Sequence, residues 1–190
     1  MPDCDAVPGT SPALGQLVVV DGPPGAGKSA VARIVATAAP RPTVHLHTDS
    51  FYAWIRSGFV PPYLPQAQAQ NEVVTAVMTG AACAYAQGGY DVIVDGIIGP
   101  WLLPVFLAAG QRARLGLRYV VLRPSLEVAL ARATGRTGGQ LTDPGPITGL
   151  YRAFSDLGEL ERHVVDSSGQ TPEQTAADLA AALDGGQFAC

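Results

Sequence analysis

Residues 16–39, QLVVVDGPPGAGKSAVARIVATAA, constrain this chain more than any other stretch. Gln16–Asp21 is a short, Val-rich apolar run, the pattern of a strand covered on both faces. From Lys28 to Ala39, Val31, Ile34, Val35 and Ala38 recur at helical spacing, and Pro40 and Pro42 stop the helix. Between them, Gly22–Ser29 fits G-x-x-x-x-G-K-[ST]. The glycines let successive backbone N–H groups face inward onto anionic oxygens. The positive end of the following helix adds to that field. We therefore assign Gly22, Pro23, Pro24, Gly25, Ala26, Gly27, Lys28, Ser29 and Ala30 to the cradle of a nucleotide triphosphate. Lys28 is expected to reach the β and γ phosphates, and Ser29 to ligate Mg²⁺.

Further runs continue the alternation. Thr43–His47 reads as a second strand, Tyr90–Val94 as a third, Leu117–Leu122 as a fourth and His163–Asp166 as a fifth. Gln66–Gln87 reads as a long helix closed by Gly88-Gly89, Trp101–Ala109 as a short helix disturbed by Pro104, Ser125–Thr134 as a helix capped by Ser125, Ile147–Leu160 as another, and Thr171–Leu183 as the last. Phe51–Pro65 is the least regular stretch, and Gly135–Pro146 reads as a mobile loop. Strands alternating with helices predict an α/β fold with a mainly parallel sheet. The 190 residues suit one domain, residues 16–190, behind a flexible tail of residues 1–15 and with a lid around residues 134–147.

In a parallel sheet, ligands gather at the carboxyl ends of the strands. Asp49 follows strand two and Asp95 ends strand three, so both are expected to face the crevice that holds the glycine loop. Transfer to an alcohol needs one carboxylate at the acceptor hydroxyl and another near Mg²⁺. Asp49 is read as the base and Asp95 as the partner of Mg²⁺ or its water shell; the swapped assignment stays open, and the other reading of Asp49 is a helix N-cap. Arg132 and Arg136, four apart, are expected on one helix face, bringing guanidinium groups to the transferring phosphate. Arg123 is a further candidate. Phe51, Tyr52, Trp54, Ile55, Phe59, Val60 and Tyr63 crowd behind Asp49, where an acceptor would sit, and suit an apolar or aromatic one. His45 and His47 alternate on strand two and read as a polar strand face.

The net charge of −4 disfavours long nucleic acids as partners, so a small molecule is expected. Cys4, Cys83 and Cys190 are odd in number and scattered, the usage of reduced thiols in a cytoplasmic protein. No apolar run reaches membrane-spanning length, and residues 1–14 lack a signal-peptide pattern.

The segments LVVVDGPPGAGKSAVARIVA, HTDSF, VIVDGI and VVLRPSLEVALARATGR resemble the small P-loop kinases of the AAA_33-like group, similar to chloramphenicol phosphotransferase and tunicamycin-resistance proteins and more distantly to shikimate and gluconate kinases. The resemblance runs from about Gln16 to Leu183. It implies a five-stranded parallel sheet in 2-3-1-4-5 order, ATP with Mg²⁺, and a base at Asp49, where chloramphenicol phosphotransferase has an Asp-Ser pair. Phe51–Gln70 departs from that enzyme, so its substrate does not carry over. The expected function is ATP-dependent phosphorylation of a small-molecule hydroxyl, with an antibiotic as the leading acceptor. The alternatives are a nucleoside, nucleotide or polynucleotide kinase, or a nucleotide-binding regulator. The last is weakened by the absence of an NKxD guanine motif.

Overall fold

The computed structural model describes residues 13–136 and 141–190. Most of the expected tail, and residues 137–140 of the expected lid, lie outside the described residues.

The elements run in chain order as β1 (Leu17–Asp21), α1 (Lys28–Ala38), β2 (Thr43–His47), α2 (Thr48–Ala53), α3 (Gln68–Gln87), β3 (Asp91–Asp95), α4 (Gly99–Ala113), β4 (Leu117–Leu122), α5 (Leu126–Thr134), α6 (Pro144–Arg152), β5 (Val164–Val165) and α7 (Pro172–Asp184). Single 3₁₀ segments cover Pro65–Ala67 and Gly158–His163. The five strands form one parallel sheet in the order β2-β3-β1-β4-β5, as the resemblance implied.

The twofold alternation of side chains sorts the sheet into two cores. Val18, Val20, Ile93, Val120 and Leu122 pack under α1 and α7 against Val31, Ala32, Ala176 and Leu179. Leu17, Val19, Val92, Val94, Tyr119 and Val121 pack on the other face against Ala82, Ala86, Leu103 and Phe106 of α3 and α4. The same alternation puts the two strand-end carboxylates on opposite faces: Asp95 follows Ile93 toward α1, and Asp21 follows Val19 toward α4. Both side chains are fully buried.

Several elements depart from the sequence pattern for visible reasons. Helix α4 runs from Gly99 to Ala113 with Pro104 inside it. Burial of Leu103, Phe106 and Ala109 on one face outweighs the lost N–H. The expected helix over 147–160 breaks at Arg152: Gly158 takes φ +55° and donates its N–H to Asp156 Oδ1. The expected loop to Pro146 is shorter, because Asp143 caps α6 by accepting from the Gly145 N–H. Strand β5 spans only two residues. The rest of that edge of β4 is covered by the C-terminal segment, with Tyr119 N–H donating to Phe188 O and Cys190 N–H to Leu117 O. Among the described residues no helix is long and apolar enough to cross a membrane.

Candidate active site

The glycine loop wraps the start of α1. Gly22, Gly25 and Gly27 all have positive φ, at 138°, 82° and 89°. At Gly22 and Gly25 the requirement is steric as well as conformational. A Cβ on Gly22 would sit 2.1 Å from the carbonyl oxygen of Leu122, and one on Gly25 would sit 2.0 Å from that of Ala129. The loop is thus pressed against the ends of β4 and α5, and only glycine fits. Within the loop, Pro23, Pro24 and Ala26 are buried.

Gly27 occupies the N-cap position of α1 in the left-handed conformation, with no side-chain cap and no acidic residue in the first turn. The first N–H groups of α1, including those of Ser29 and Ala30, therefore lack a capping acceptor and carry the positive helix end. That is the setting in which a phosphate is held.

Lys28 lies within this setting at 8% exposure, its Nζ donating to Pro23 O at 2.9 Å. Burial pulls its pKa down to about 8; the carboxylates of Asp21, Asp95 and Asp49 oppose the shift, and Arg136 adds to it. The same influences place Asp49, Asp95 and Arg136 within electrostatic reach of one ammonium.

Asp95 closes β3. Ser29 Oγ donates to its Oδ2 at 2.5 Å, and His45 Nε2 lies 2.6 Å from its Oδ1. His47 Nε2 is 4.0 Å from Oδ2. Burial would raise the Asp95 pKa, but the hydrogen bonds from His45 and Ser29 and the neighbouring histidines outweigh it, and the carboxyl is held below its ordinary range. Asp95 is therefore an anion at neutral pH. Ser29 and Asp95 offer hard oxygen donors beside the uncapped end of α1. That donor set fits Mg²⁺, which takes one or two protein oxygens and completes its shell with water and phosphate.

Asp49 stands in the first turn of α2, its side chain exposed. It is neither loop nor N-cap. His47 caps the helix, with its Nδ1 accepting the Asp49 N–H at 3.1 Å. Thr48 is buried and fills the space over Gly96, where an added Cβ would lie 2.0 Å from Thr48 Oγ1. This contact fixes α2 on the end of β3. Tyr52, one turn after Asp49, has its pKa raised by burial and by the Asp49 charge, and its hydroxyl donates to Asn71 Oδ1.

Beyond Tyr52, two amide side chains at the start of α3 pin the irregular segment. Gln70 bonds both the N–H and the carbonyl of Val60, at 2.9 and 2.7 Å, and Asn71 Nδ2 donates to Pro62 O. Phe51 is buried against Val74 and Met78. Trp54, Phe59 and Tyr63 are left 66%, 48% and 50% exposed.

The arginines separate. Gly135 closes α5, so Arg136 lies past the helix end and does not share a helical face with Arg132 as expected. Arg132 donates to the carbonyls of Ser167 and Gln170, holding the turn after β5, whose Ser167 hydroxyl donates to Ala26 O of the glycine loop. Arg123 is paired in two-pronged fashion with Glu161 at 2.8 Å and also donates to Phe154 O. It braces the β4 end against the segment before β5.

Two residues that bear on the site carry no obvious motif. Asp21 accepts from the N–H groups of Gly22, Ile98 and Gly99 and from the Tyr119 hydroxyl, at 2.6–2.9 Å. It fastens the first residue of the glycine loop to the turn after β3. Burial raises its pKa, against the hydrogen bonds from Tyr119, Ile98 and Gly22 and the Lys28 charge. An acidic residue ending a Val-rich strand was the available signal. His45 is the other, and only strand register brings it to Asp95.

The family model described as an AAA domain, AAA_33, matches residues 17–143. No curated protein matches the chain. Solved structures share its fold, among them the following three. The Deinococcus radiodurans tunicamycin resistance protein is 18% identical with a TM-score of 0.67, over 89% of this chain and 95% of that one. A sugar kinase from a Janibacter species is 19% identical with a TM-score of 0.66, over 90% and 95%. The Mycobacterium tuberculosis APS kinase CysC, solved with AMPPNP and APS, is 18% identical with a TM-score of 0.63, over 91% and 99%. With a matched glycine loop, a parallel sheet in kinase order and a family model spanning most of its length, this chain belongs to the AAA_33 family and has the fold of the small P-loop kinases.

Proposed function

We propose that this protein is an ATP-dependent phosphotransferase acting on a hydroxyl of a small molecule. The observation that carries the reading is the grouping around Lys28: an uncapped helix end for phosphate, the Ser29–Asp95 pair beside it, and the exposed Asp49 carboxylate close enough to act on the same ammonium. Fold similarity to a sugar kinase and to an APS kinase solved with an ATP analogue supports it.

In this reading the first N–H groups of α1 and Lys28 hold the β and γ phosphates. Ser29 and Asp95 would hold Mg²⁺, which would supply positive charge to offset that of the phosphates. The acceptor hydroxyl sits at Asp49, which orients it and takes its proton. A new bond forms between the acceptor oxygen and the γ phosphorus, the bond from that phosphorus to the β–γ bridging oxygen breaks, and ADP leaves. Arg136 adds positive charge at the transferring group. The exposed rings of Trp54, Phe59 and Tyr63, on a segment fixed by Gln70 and Asn71, favour an acceptor with an apolar or aromatic face, as an antibiotic would present.

The test is a panel of antibiotics, nucleosides and sugar acids incubated with protein, ATP and Mg²⁺, read by mass spectrometry for the gain of one phosphoryl group. Phosphorylation of an antibiotic supports the reading in full. A phosphorylated nucleoside keeps the transfer chemistry and overturns the acceptor class. ATP hydrolysis with no acceptor modified in any class, under conditions where ATP binds tightly, contradicts the proposal.

A further inference from the structure

By sequence His45 looks like one polar residue on a strand face. The pairing of β2 with β3 changes that. His47 lies opposite Asp95 and His45 opposite Ile93, so His45 reaches Asp95 along the diagonal of the same face. Its Nε2 stands 2.6 Å from Asp95 Oδ1. An ionised carboxylate only accepts hydrogen bonds, so Nε2 carries the hydrogen.

The terminal torsion of an aspartate is soft. Here each oxygen has its own donor, His45 on Oδ1 and Ser29 on Oδ2. Two donors on two oxygens fix the carboxylate plane, where one would leave it free to turn. The consequence passes to Ser29. Its hydroxyl hydrogen is directed at Asp95, which leaves both lone pairs of Oγ free to face a cation.

We infer that His45 is a positioning residue for the Mg²⁺ site: it holds Asp95, and through Asp95 the Ser29 hydroxyl, in the orientation that receives the cation. This rests on the nucleotide-binding reading above. His47 ties the other half of the site to the same carboxylate. Its Nδ1 caps the helix that carries Asp49, while its Nε2 approaches Asp95 Oδ2. Metal carboxylate and base are thereby referenced to neighbouring positions of one strand.

The test is calorimetric binding of ATP with Mg²⁺ and with EDTA. It compares wild type with His45→Gln, whose amide N–H can reach the Nε2 position, with His45→Asn, which is polar but too short, and with Asp95→Asn. Loss of an outer-shell partner typically weakens metal affinity ~10-fold or more. His45→Asn is therefore expected to cut the Mg²⁺ enhancement of ATP affinity by ~10-fold while leaving metal-free affinity unchanged, and His45→Gln to keep most of the enhancement. Unchanged metal-free affinity also reports that the variants fold. An equal effect of Asn and Gln, a full enhancement in His45→Asn, or an equal loss with and without Mg²⁺ would overturn the inference. If Asp95→Asn removes the enhancement and His45→Asn does not, His45 alone is misassigned. If the wild type binds no ATP, the nucleotide reading fails and takes His45 with it.

Discussion

Lys28 gives the site a pH dependence whose size follows from its surroundings. Burial lowers its pKa to about 8, so the free protein loses this charge near the pH of ordinary buffers. A bound triphosphate favours the protonated amine and raises the pKa, so binding takes up a proton over that range. The sign is fixed by this linkage: affinity is full below about 8 and falls as pH rises through it. The protonated fraction of such a group drops by ~10-fold between pH ~7 and ~9, so the ATP dissociation constant should rise by about the same factor. Titration calorimetry in buffers of different ionisation enthalpy would register both the affinity change and the proton uptake. Lys28→Arg keeps its charge throughout and should flatten the profile, whatever it costs in affinity. A wild-type affinity constant across that span, or an equal pH slope in Lys28→Arg, would refute the account of Lys28.

Two further outcomes follow from the packing. Gly25→Ala forces a left-handed alanine against the Ala129 carbonyl, a penalty of at least ~2 kcal/mol; thermal melting should shift down and ATP binding should disappear, and a variant that melts and binds like wild type would contradict the loop geometry. Tyr119→Phe removes a hydrogen bond to the buried Asp21 carboxylate and should cost on the order of 1.5–3 kcal/mol in urea unfolding. Because burial already raises the folded pKa of Asp21, that group's contribution falls as pH rises; without the tyrosine the deficit should be larger at neutral than at acid pH, and a loss independent of pH would show that Asp21 is not the partner that matters.

Much of this fold is legible because its strands are short, apolar and separated by strong stop signals. Thr43–His47 and Leu117–Leu122 have the bounds their sequence suggests, and the glycine loop sits between strand and helix as its motif requires. The order of the strands came from family resemblance, since a run of Val and Ile does not say which neighbour it pairs with. The site is less legible where partners meet across the sheet. Nothing local to His45 points to Asp95; the contact exists because β2 and β3 pair in one register. The start of α2 was misplaced by two residues, because a histidine ring at position 47 caps it where the sequence offered Asp49 as the N-cap. Arg123 and Arg132 carry charges that sequence cannot tell from phosphate ligands, yet both are committed to neighbouring loops through carbonyls, and Arg123 also to Glu161. Asp21 was passed over because a carboxylate buried at a strand end gains its meaning from four donors, three of them far along the chain and three of them backbone N–H groups.

The central claim is that Asp49 takes the proton of an acceptor hydroxyl beside a triphosphate held by Lys28 and the end of α1. Its most direct test is single-turnover phosphoryl transfer to an acceptor drawn from the panel, with wild type beside Asp49→Asn, and with ATP affinity measured on both. The account predicts that the asparagine variant binds ATP as wild type does and transfers at least ~10²-fold more slowly, the scale of a lost general base. Transfer at the wild-type rate in Asp49→Asn, with ATP binding intact, would contradict it.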